Sequence, residues 1–86
     1  MSYTIQLRKQ ALKELEQLPS SAIIKITESI DGLSVNPRPK GCKKLKGEQD
    51  YLWRIRVGDY RIIYSIEDTI KIIDIRKIGH RRSVYD

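Results

Sequence analysis

Two alternating runs joined by a Gly-Asp dipeptide constrain the fold of this chain more than any other feature of its sequence. Residues 51–57 and 60–66 largely alternate apolar with polar or charged side chains, which is the period of a half-buried β-strand. Gly58-Asp59 between them fits a two-residue loop with glycine at its first position, as a type II′ turn requires. The pattern therefore predicts a tight hairpin in which Val57 lies opposite Tyr60.

This register sorts the hairpin side chains between two faces, because paired residues share a face. One face is expected to carry the apolar residues that helices can cover, namely Trp53, Ile55, Val57, Tyr60, Ile62 and Tyr64. The other is expected to carry Arg54, Arg56 and Arg61. Like charges directly opposite each other destabilise a sheet by up to about 1 kcal/mol, so folding alone gives no reason to place Arg56 across from Arg61. Since arginine binds phosphate through two parallel hydrogen bonds, the pattern favours an anion site on an open sheet face.

Two structural explanations of the same arginines stay open. The side chains can be splayed apart on a face that is simply solvated. Alternatively, a two-residue loop at 67–68 would place Asp74 across from Arg61 and pair the two charges locally.

The first half of the chain predicts two helices. Residues 9–18 carry apolar side chains at helical spacing, and Pro19 ends this helix. Ser20 or Ser21 is expected to cap a second helix. Asn36-Pro37 stops that helix, whose buried stripe is predicted to be Ile23, Ile26, Ile30 and Leu33.

The strands complete the predicted topology. Residues 3–7 alternate like a short strand, residues 40–47 form a loop, and residues 69–76 form a third strand after the hairpin. The order β-α-α-β-β-β predicts an α+β fold with an antiparallel sheet and both helices packed on one face. Residues 1–86 are expected to form a single domain.

The surplus of positive charge lies in the second part of the chain. Seventeen Lys and Arg residues against eleven Asp and Glu residues give a net charge of +6. Residues 1–35 hold four basic and four acidic groups, so residues 36–86 supply the whole surplus, thirteen basic groups against seven acidic ones. A basic half beside a neutral half indicates a site for a polyanion, although the same charge can also serve solubility alone.

The sequence indicates a cytoplasmic protein with no membrane partner. No apolar run approaches the roughly 18 residues of a membrane-spanning helix. The N-terminus carries charge by Arg8 and lacks the apolar segment of a signal peptide. The single cysteine, Cys42, cannot form an internal disulfide, which agrees with a reducing compartment.

The candidate residues suit a reaction of RNA that needs neither metal nor cofactor. One histidine, one cysteine and scattered carboxylates supply no ligand set at zinc spacing. In RNA the 2′-hydroxyl can attack the neighbouring phosphate and expel the 5′-oxygen, a route that DNA lacks. Arginines stabilise the charge that grows on the phosphate, and His80, Tyr85 and an arginine of shifted pKa are available to carry protons.

The residues after the third strand are expected to fold over the end of the arginine-bearing face. They include His80, Arg81 and Tyr85. Further contacts to RNA are expected from Lys43, Lys44, Lys46 and Arg82. As alternatives, a histidine near a chain end is often a plain surface residue, and a tyrosine there often only packs.

Several segments together resemble RelE-type toxins of the RelE/ParE superfamily of bacterial toxin–antitoxin systems. The hairpin reads R-x-x-x-Y-R-x-x-Y over residues 56–64, and G-H-R-R-x-x-Y follows over residues 79–85. The helix segment QALKELEQL, the Asn36-Pro37 stop and the K-L-K-G run at 44–47 also match in the family's order. The matching pieces cover nearly the whole chain.

The resemblance implies a toxin that enters the ribosomal A site, cleaves the messenger RNA there without a cofactor, and is inhibited by a co-expressed RelB-like antitoxin. It implies a phosphate-binding role for Arg61, a catalytic role for Arg81 and a substrate-orienting role for Tyr85. Arg54 and Arg56 match two family lysines, and arginine is the poorer proton acceptor because its pKa is above about 12. His80, where the family often has a basic residue, can then take over proton transfer.

Two other functions fit the same sequence. A ParE-like toxin shares the fold and acts by binding DNA gyrase, and such a protein does not need the basic face and the terminal Arg–Tyr pair together. A non-catalytic module would bind RNA or the ribosome with a strong dependence on salt and no cleavage.

Overall fold

The computed structural model describes residues 2–49 and 51–80, with the side chain of Gln49 excepted. The described elements are β1 (Thr4–Leu7), α1 (Lys9–Glu16), α2 (Ser20–Val35), β2 (Lys43–Lys44), β3 (Leu52–Val57), β4 (Tyr60–Glu67) and β5 (Ile72–His80), with a 3-10 turn at Gly47–Gln49. The strands form one sheet in the order β1-β5-β4-β3-β2. The predicted α+β class, with its helical hairpin and three-strand meander, is confirmed.

The register of the β3–β4 hairpin agrees with the sequence prediction residue by residue. Val57 pairs with Tyr60, Arg56 with Arg61, and Trp53 with Tyr64. Gly58 has a φ of +61°, whereas Asp59 is not among the residues of positive φ. This combination is that of a type II′ turn, whose twist matches that of the two strands.

The apolar face of the hairpin is covered by the helices, as predicted. Ile55, Ile62 and Tyr64 are buried there against both helices and the apolar side of β5, in a core that also contains Ala11, Ile26, Ile30, Leu33, Ile73, Ile75 and Ile78. Within the predicted stripe of α2, Ile23 is only half-buried. The face of the sheet opposite the helices is called the open face below.

The start of α2 differs from the prediction. Pro19 is the N-cap, and its carbonyl accepts hydrogen bonds from the backbone N–H groups of Ala22 and Ile23, both at 3.0 Å. Ser20 is already helical, so neither serine caps the helix. The C-terminal stop at Asn36, directly before Pro37, is confirmed.

The sheet is mixed rather than antiparallel throughout. β1 runs parallel to β5, from Thr4 opposite Ile72 to Leu7 opposite Ile75. Lys43–Lys44, predicted as loop, adds a fifth strand to the outer edge of β3. Alternation predicts which side chains share a face, but it does not specify the direction or the neighbour of a strand.

The third strand of the meander begins and ends later than predicted. Four residues, 68–71, connect β4 to β5 in place of two, so Asp74 pairs with Ser65 and not with Arg61. The pairing of β4 with β5 shifts register between Ile63 and Tyr64, which leaves Arg76 as an extra residue on β5. The proposed Asp74–Arg61 ion pair is therefore wrong, and Asp74 binds Arg8 at 3.0 Å instead.

Candidate functional site

The open face carries a group of four basic side chains at the end near the β3–β4 turn. Arg56 lies directly opposite Arg61, and Arg54 lies two residues before Arg56 on the same face. β2 adds Lys43 directly opposite Arg54. These four residues, Lys43, Arg54, Arg56 and Arg61, are called the basic cluster below.

The arginines of the basic cluster differ in how far they reach into solvent. Arg54 is 3% exposed, Arg61 is half-buried and Arg56 is exposed. Burial lowers the pKa of Arg54 from its ordinary value, and the neighbouring charge of Arg56 lowers it further. The buried guanidinium thus lies at the base of the site, while Arg56 is placed where a ligand can reach it.

β5 places a glycine opposite Arg61. Gly79 on β5 pairs with Arg61, so the position directly across from this guanidinium on that strand carries no side chain. A side chain at this position would share the open face with Arg61.

Three apolar residues anchor the strands next to the basic cluster. Leu45, Leu52 and Ile63 are buried together on the open face. The backbone N–H of Leu45 donates to the carbonyl of Leu52 at 2.9 Å, which ties the end of β2 to β3. This cluster explains why the lysine-rich segment forms a strand, because Leu45 gains a buried apolar surface that no other residue of 43–46 supplies.

The predicted RNA-contacting lysines do not share one face. Lys43 lies on the open face with Arg54, whereas Lys44 pairs with Trp53, whose side chain belongs to the helix-covered face. Lys46 is exposed just after β2. Of the three, Lys43 is the one that the sheet aligns with the arginines.

His80 lies on the other side of the sheet from Arg61. It pairs with Tyr60, and the two rings meet edge to face with centroids 5.8 Å apart. Tyr60 packs against the helix-covered core, so the imidazole does not close over the arginines as expected. A catalytic role for His80 stays a prediction, and the remaining tail positions Arg81, Arg82 and Tyr85 lie outside the described residues.

A polar network holds the loop between α2 and β2 at the end of the sheet opposite the β3–β4 turn. Arg38 binds Asp68 at 2.9 Å and lies over the ring of Trp53 at 5.2 Å. Tyr3 donates its hydroxyl to Asp68 at 2.6 Å. The hydrogen bond from Arg38 is the main reason that the pKa of Asp68 is lowered, and this network positions the segment that leads into Lys43.

Tyr64 fastens the same loop from inside the core. Its hydroxyl donates to the carbonyl of Pro37 at 2.8 Å. Burial, followed by interactions with Cys42, raises the pKa of Tyr64 well above its ordinary value, so the phenol remains a neutral donor. The buried tyrosine therefore contributes to the position of the basic cluster although it lies on the opposite face.

Two open pockets border the basic cluster. One, of about 540 Å³, lies between α2 and the β2–β3 edge, and its basic lining residues are Lys40, Lys43, Arg54 and Arg56. The other, of about 290 Å³, lies on the open face, and its polar wall is formed by Arg8, Tyr51, Arg76 and Lys77. The sequence prediction missed Arg76 and Lys77, since their orientation depends on the register shift in β5.

Metal ligands do not gather in the part of the chain that the structure describes. Across residues 2–49 and 51–80, no group of three or more His, Cys, Asp or Glu side chains could hold a metal ion. Over the same residues, no helix has the length and the apolar character that crossing a membrane requires.

Comparison with known proteins assigns the chain to a family. Residues 5–85 match the family model described as the ParE toxin of the type II toxin–antitoxin system parDE. RelE1 of Methanocaldococcus jannaschii, which is named as a toxin, is 39% identical, and the match covers 99% of this chain and 97% of that protein.

Solved structures agree with this match. The RelE–RelB complex from the archaeon Pyrococcus horikoshii contains a chain that superposes with a TM-score of 0.83 at 36% identity, covering 98% of this chain and all of that one. The RelBE2 toxin–antitoxin complex from Mycobacterium tuberculosis gives a TM-score of 0.85 at 28% identity, covering 94% of this chain and all of that one. The chain therefore belongs to the RelE/ParE family as a RelE-type toxin of a type II toxin–antitoxin system.

Proposed function

We propose that this toxin is an endonuclease that enters the ribosomal A site in the cytoplasm, cleaves messenger RNA there without a metal or cofactor, and so stops translation. The observation that carries the proposal is the placement of Arg56 directly opposite Arg61, with Arg54 beside them, on the face that the helices leave open. A phosphate bound between these guanidinium groups would accept hydrogen bonds from them and offset their mutual repulsion.

The reaction proposed is an internal transesterification. The 2′-oxygen attacks the adjacent phosphorus, the bond from phosphorus to the 5′-oxygen breaks, and the products are a 2′,3′-cyclic phosphate and a 5′-hydroxyl. One proton leaves the 2′-hydroxyl and one is delivered to the departing 5′-oxygen. Arg54, Arg56 and Arg61 stabilise the negative charge that grows on the phosphate oxygens, as fixed donors in a partly desolvated site do.

In this proposal the proton carriers lie in the C-terminal segment that begins at His80. A guanidinium is a poor proton acceptor, so the three sheet arginines serve as charge donors and not as the base. Arg81 is proposed as a further phosphate ligand and Tyr85 as the residue that orients the base of the substrate. His80 is retained as a candidate proton carrier, which requires its ring to leave Tyr60 when RNA binds.

A RelB-like antitoxin is the proposed partner. The relatives from Pyrococcus horikoshii and Mycobacterium tuberculosis were both solved as complexes with an antitoxin. A net charge of +6 favours an acidic partner, and a partly disordered one can wrap the toxin as it folds. Co-expression with the product of the adjacent reading frame should yield a stable complex in which RNA cleavage is blocked.

A cell-free translation extract tests the proposed activity. Adding the wild-type toxin should stop synthesis and produce new RNA ends inside codons of ribosome-bound message. Arg61→Ala should lower the cleavage rate by about 100-fold or more, because removing one charge-stabilising donor typically costs that much. Lys13→Ala, which removes an exposed charge on α1, is the matched control and should cleave like the wild type.

The same extract decides whether the toxin is a nuclease at all. Full inhibition of translation with intact message would exclude the nuclease and favour a module that only binds RNA or the ribosome. Circular dichroism of Arg61→Ala, with a wild-type spectrum and unfolding midpoint, separates loss of the site from loss of the fold.

Inhibition of DNA gyrase is the second candidate, because the matching family model carries the name of the ParE toxin. A supercoiling assay with purified gyrase distinguishes it from the nuclease. Inhibition of supercoiling together with unaffected translation would support the second candidate and overturn the first.

A further inference from the structure

A pocket on the open face lies directly beside the basic cluster and has the composition of a nucleobase site. Its floor is apolar and consists of Leu45, Leu52 and Ile63, all buried. Its wall contains Tyr51, Arg76 and Lys77. The pocket between these floor and wall residues has a volume of about 290 Å³ and is called the tyrosine pocket below.

Tyr51 supplies an aromatic surface that the fold leaves accessible. The residue is 52% exposed, although it precedes a strand whose first residue is buried. The guanidinium of Arg76 lies 5.2 Å from the centroid of the ring. Aromatic rings backed in this way are the surfaces on which proteins stack the unpaired bases of single-stranded RNA.

The charge around the tyrosine pocket favours an anionic ligand. Arg8, Arg76 and Lys77 line it, and Asp74 forms ion pairs with the two arginines, at 3.0 Å from Arg8 and 3.5 Å from Arg76. Among the described residues, these three cations and one carboxylate leave a surplus of two positive charges. An apolar floor with this surplus fits a base attached to a phosphate better than a neutral apolar ligand.

The distance between the basic cluster and the tyrosine pocket matches the distance between neighbouring nucleotides of an RNA strand. Leu52 precedes Arg54 by two residues on β3, and Ile63 follows Arg61 by two residues on β4. Two residues along a strand span about 6.6 Å, so the floor of the pocket begins one such step away from the arginines. A phosphate bound by the arginines would therefore place a neighbouring nucleotide over the tyrosine pocket.

We propose that the tyrosine pocket binds the nucleobase of a nucleotide next to the scissile phosphate, by stacking on Tyr51, with Lys77 contacting the attached phosphate. This inference rests on the proposed nuclease function and adds to it a subsite that holds the RNA in register for the in-line attack. The chemistry predicts that the subsite accepts any base, because every base presents a flat face.

Binding to programmed ribosomes tests the subsite. The message carries 2′-O-methyl groups in the A-site codon, which block the attack, and the base on either side of the scissile phosphate is removed in turn. Tyr51→Ala should weaken binding to the intact message about 5- to 150-fold, the contribution of one base–aromatic stack. The same substitution should have no effect on the message that lacks the stacked base.

Control variants separate stacking from other effects. Tyr51→Phe keeps the ring and should bind like the wild type, and so should Lys13→Ala. Lys77→Ala should weaken binding of the intact and the abasic message equally, because its contact is to phosphate. Since Tyr51 and Lys77 are exposed, these substitutions leave the core unchanged.

The outcomes distinguish the subsite from the nuclease function. If the wild-type toxin cleaves unprotected message and Tyr51→Ala binds and cleaves it equally well, the proposed subsite is wrong and the nuclease function is unaffected. A wild-type toxin that does not cleave message on ribosomes overturns both. If Tyr51→Ala weakens only the association with the antitoxin, the occupant of the pocket is a segment of the partner protein and the nucleobase assignment is wrong.

Discussion

Asp68 shows at the scale of single residues how the loops around the site are held. It accepts hydrogen bonds from Tyr3 and Arg38, although it lies in an exposed turn between β4 and β5. Both bonds favour the charged carboxylate, which is why its pKa is lowered from the ordinary value of 3.8. The carboxylate thereby joins the N-terminal segment to the loop that precedes β2.

The lowered pKa of Asp68 predicts how stability depends on pH. The unfolded chain binds a proton here more readily than the folded one, so the stabilisation is complete above pH 3.8 and is lost as the pH falls through the lowered pKa. Asp68→Asn should lower the urea midpoint at pH 7 and have a smaller effect at pH 2. Glu28→Gln, on the exposed side of α2, controls for the loss of one carboxylate. An equal effect of Asp68→Asn at both pH values would contradict the proposed charge dependence.

The β3–β4 hairpin is the element on which the site depends, because its register brings Arg56 opposite Arg61. A shift of one residue would move every side chain of β3 to the other face. The type II′ turn prevents this shift, and it does so through the positive φ of Gly58. The turn therefore contributes to the site through geometry and not through contact.

Substituting glycines in two different elements tests this dependence. Gly58→Ala should lower the free energy of unfolding by about 1 kcal/mol, since alanine adopts a positive φ only at a cost. Gly32→Ala should raise it by about 0.5–1 kcal/mol, because Gly32 lies inside α2 and nothing lies within 4 Å of the added methyl group. Urea unfolding measures both, and equal signs for the two variants would exclude the assigned role of the turn.

At the scale of the whole molecule, one face of the sheet forms the main core and the other carries the proposed RNA site. The helix-covered face contains the main core, and the open face combines a small apolar cluster with the basic cluster and the tyrosine pocket. Because α1 and α2 together carry three basic and four acidic side chains, the surplus of positive charge lies outside the helices. A polyanion can therefore bind the open face without contacting the main core.

The charge distribution predicts the salt dependence of ribosome binding. The logarithm of the binding constant should fall linearly with the logarithm of salt concentration, and Arg56→Ala should reduce the slope by about 0.7, the value for one phosphate contact to a single strand. Lys13→Ala removes the same charge from α1 and should leave the slope unchanged. Equal slopes for the wild type and Arg56→Ala would show that Arg56 contacts no phosphate.

The sequence alone determined the hairpin, its register and the face on which Arg54, Arg56 and Arg61 lie. These features are local, since a two-residue turn with glycine at its first position and the alternation of the flanking residues favour one pairing. The end of α2 before Asn36 was also readable, because proline excludes the helical hydrogen bond, whereas α1 ends at Glu16, two residues earlier than predicted.

Only the tertiary structure decided the parallel placement of β1, the addition of β2, the register shift in β5 and the partners of Asp74 and His80. Each depends on contacts between residues far apart in the chain, such as the burial of Leu45 against Leu52 and Ile63 or the pairing of Tyr60 with His80. The alternation of apolar and polar residues specifies on which face of the sheet a side chain lies, but not which strand lies next to it. The choice among neighbours is made by the apolar surface that each arrangement buries, and that surface exists only once the sheet has formed.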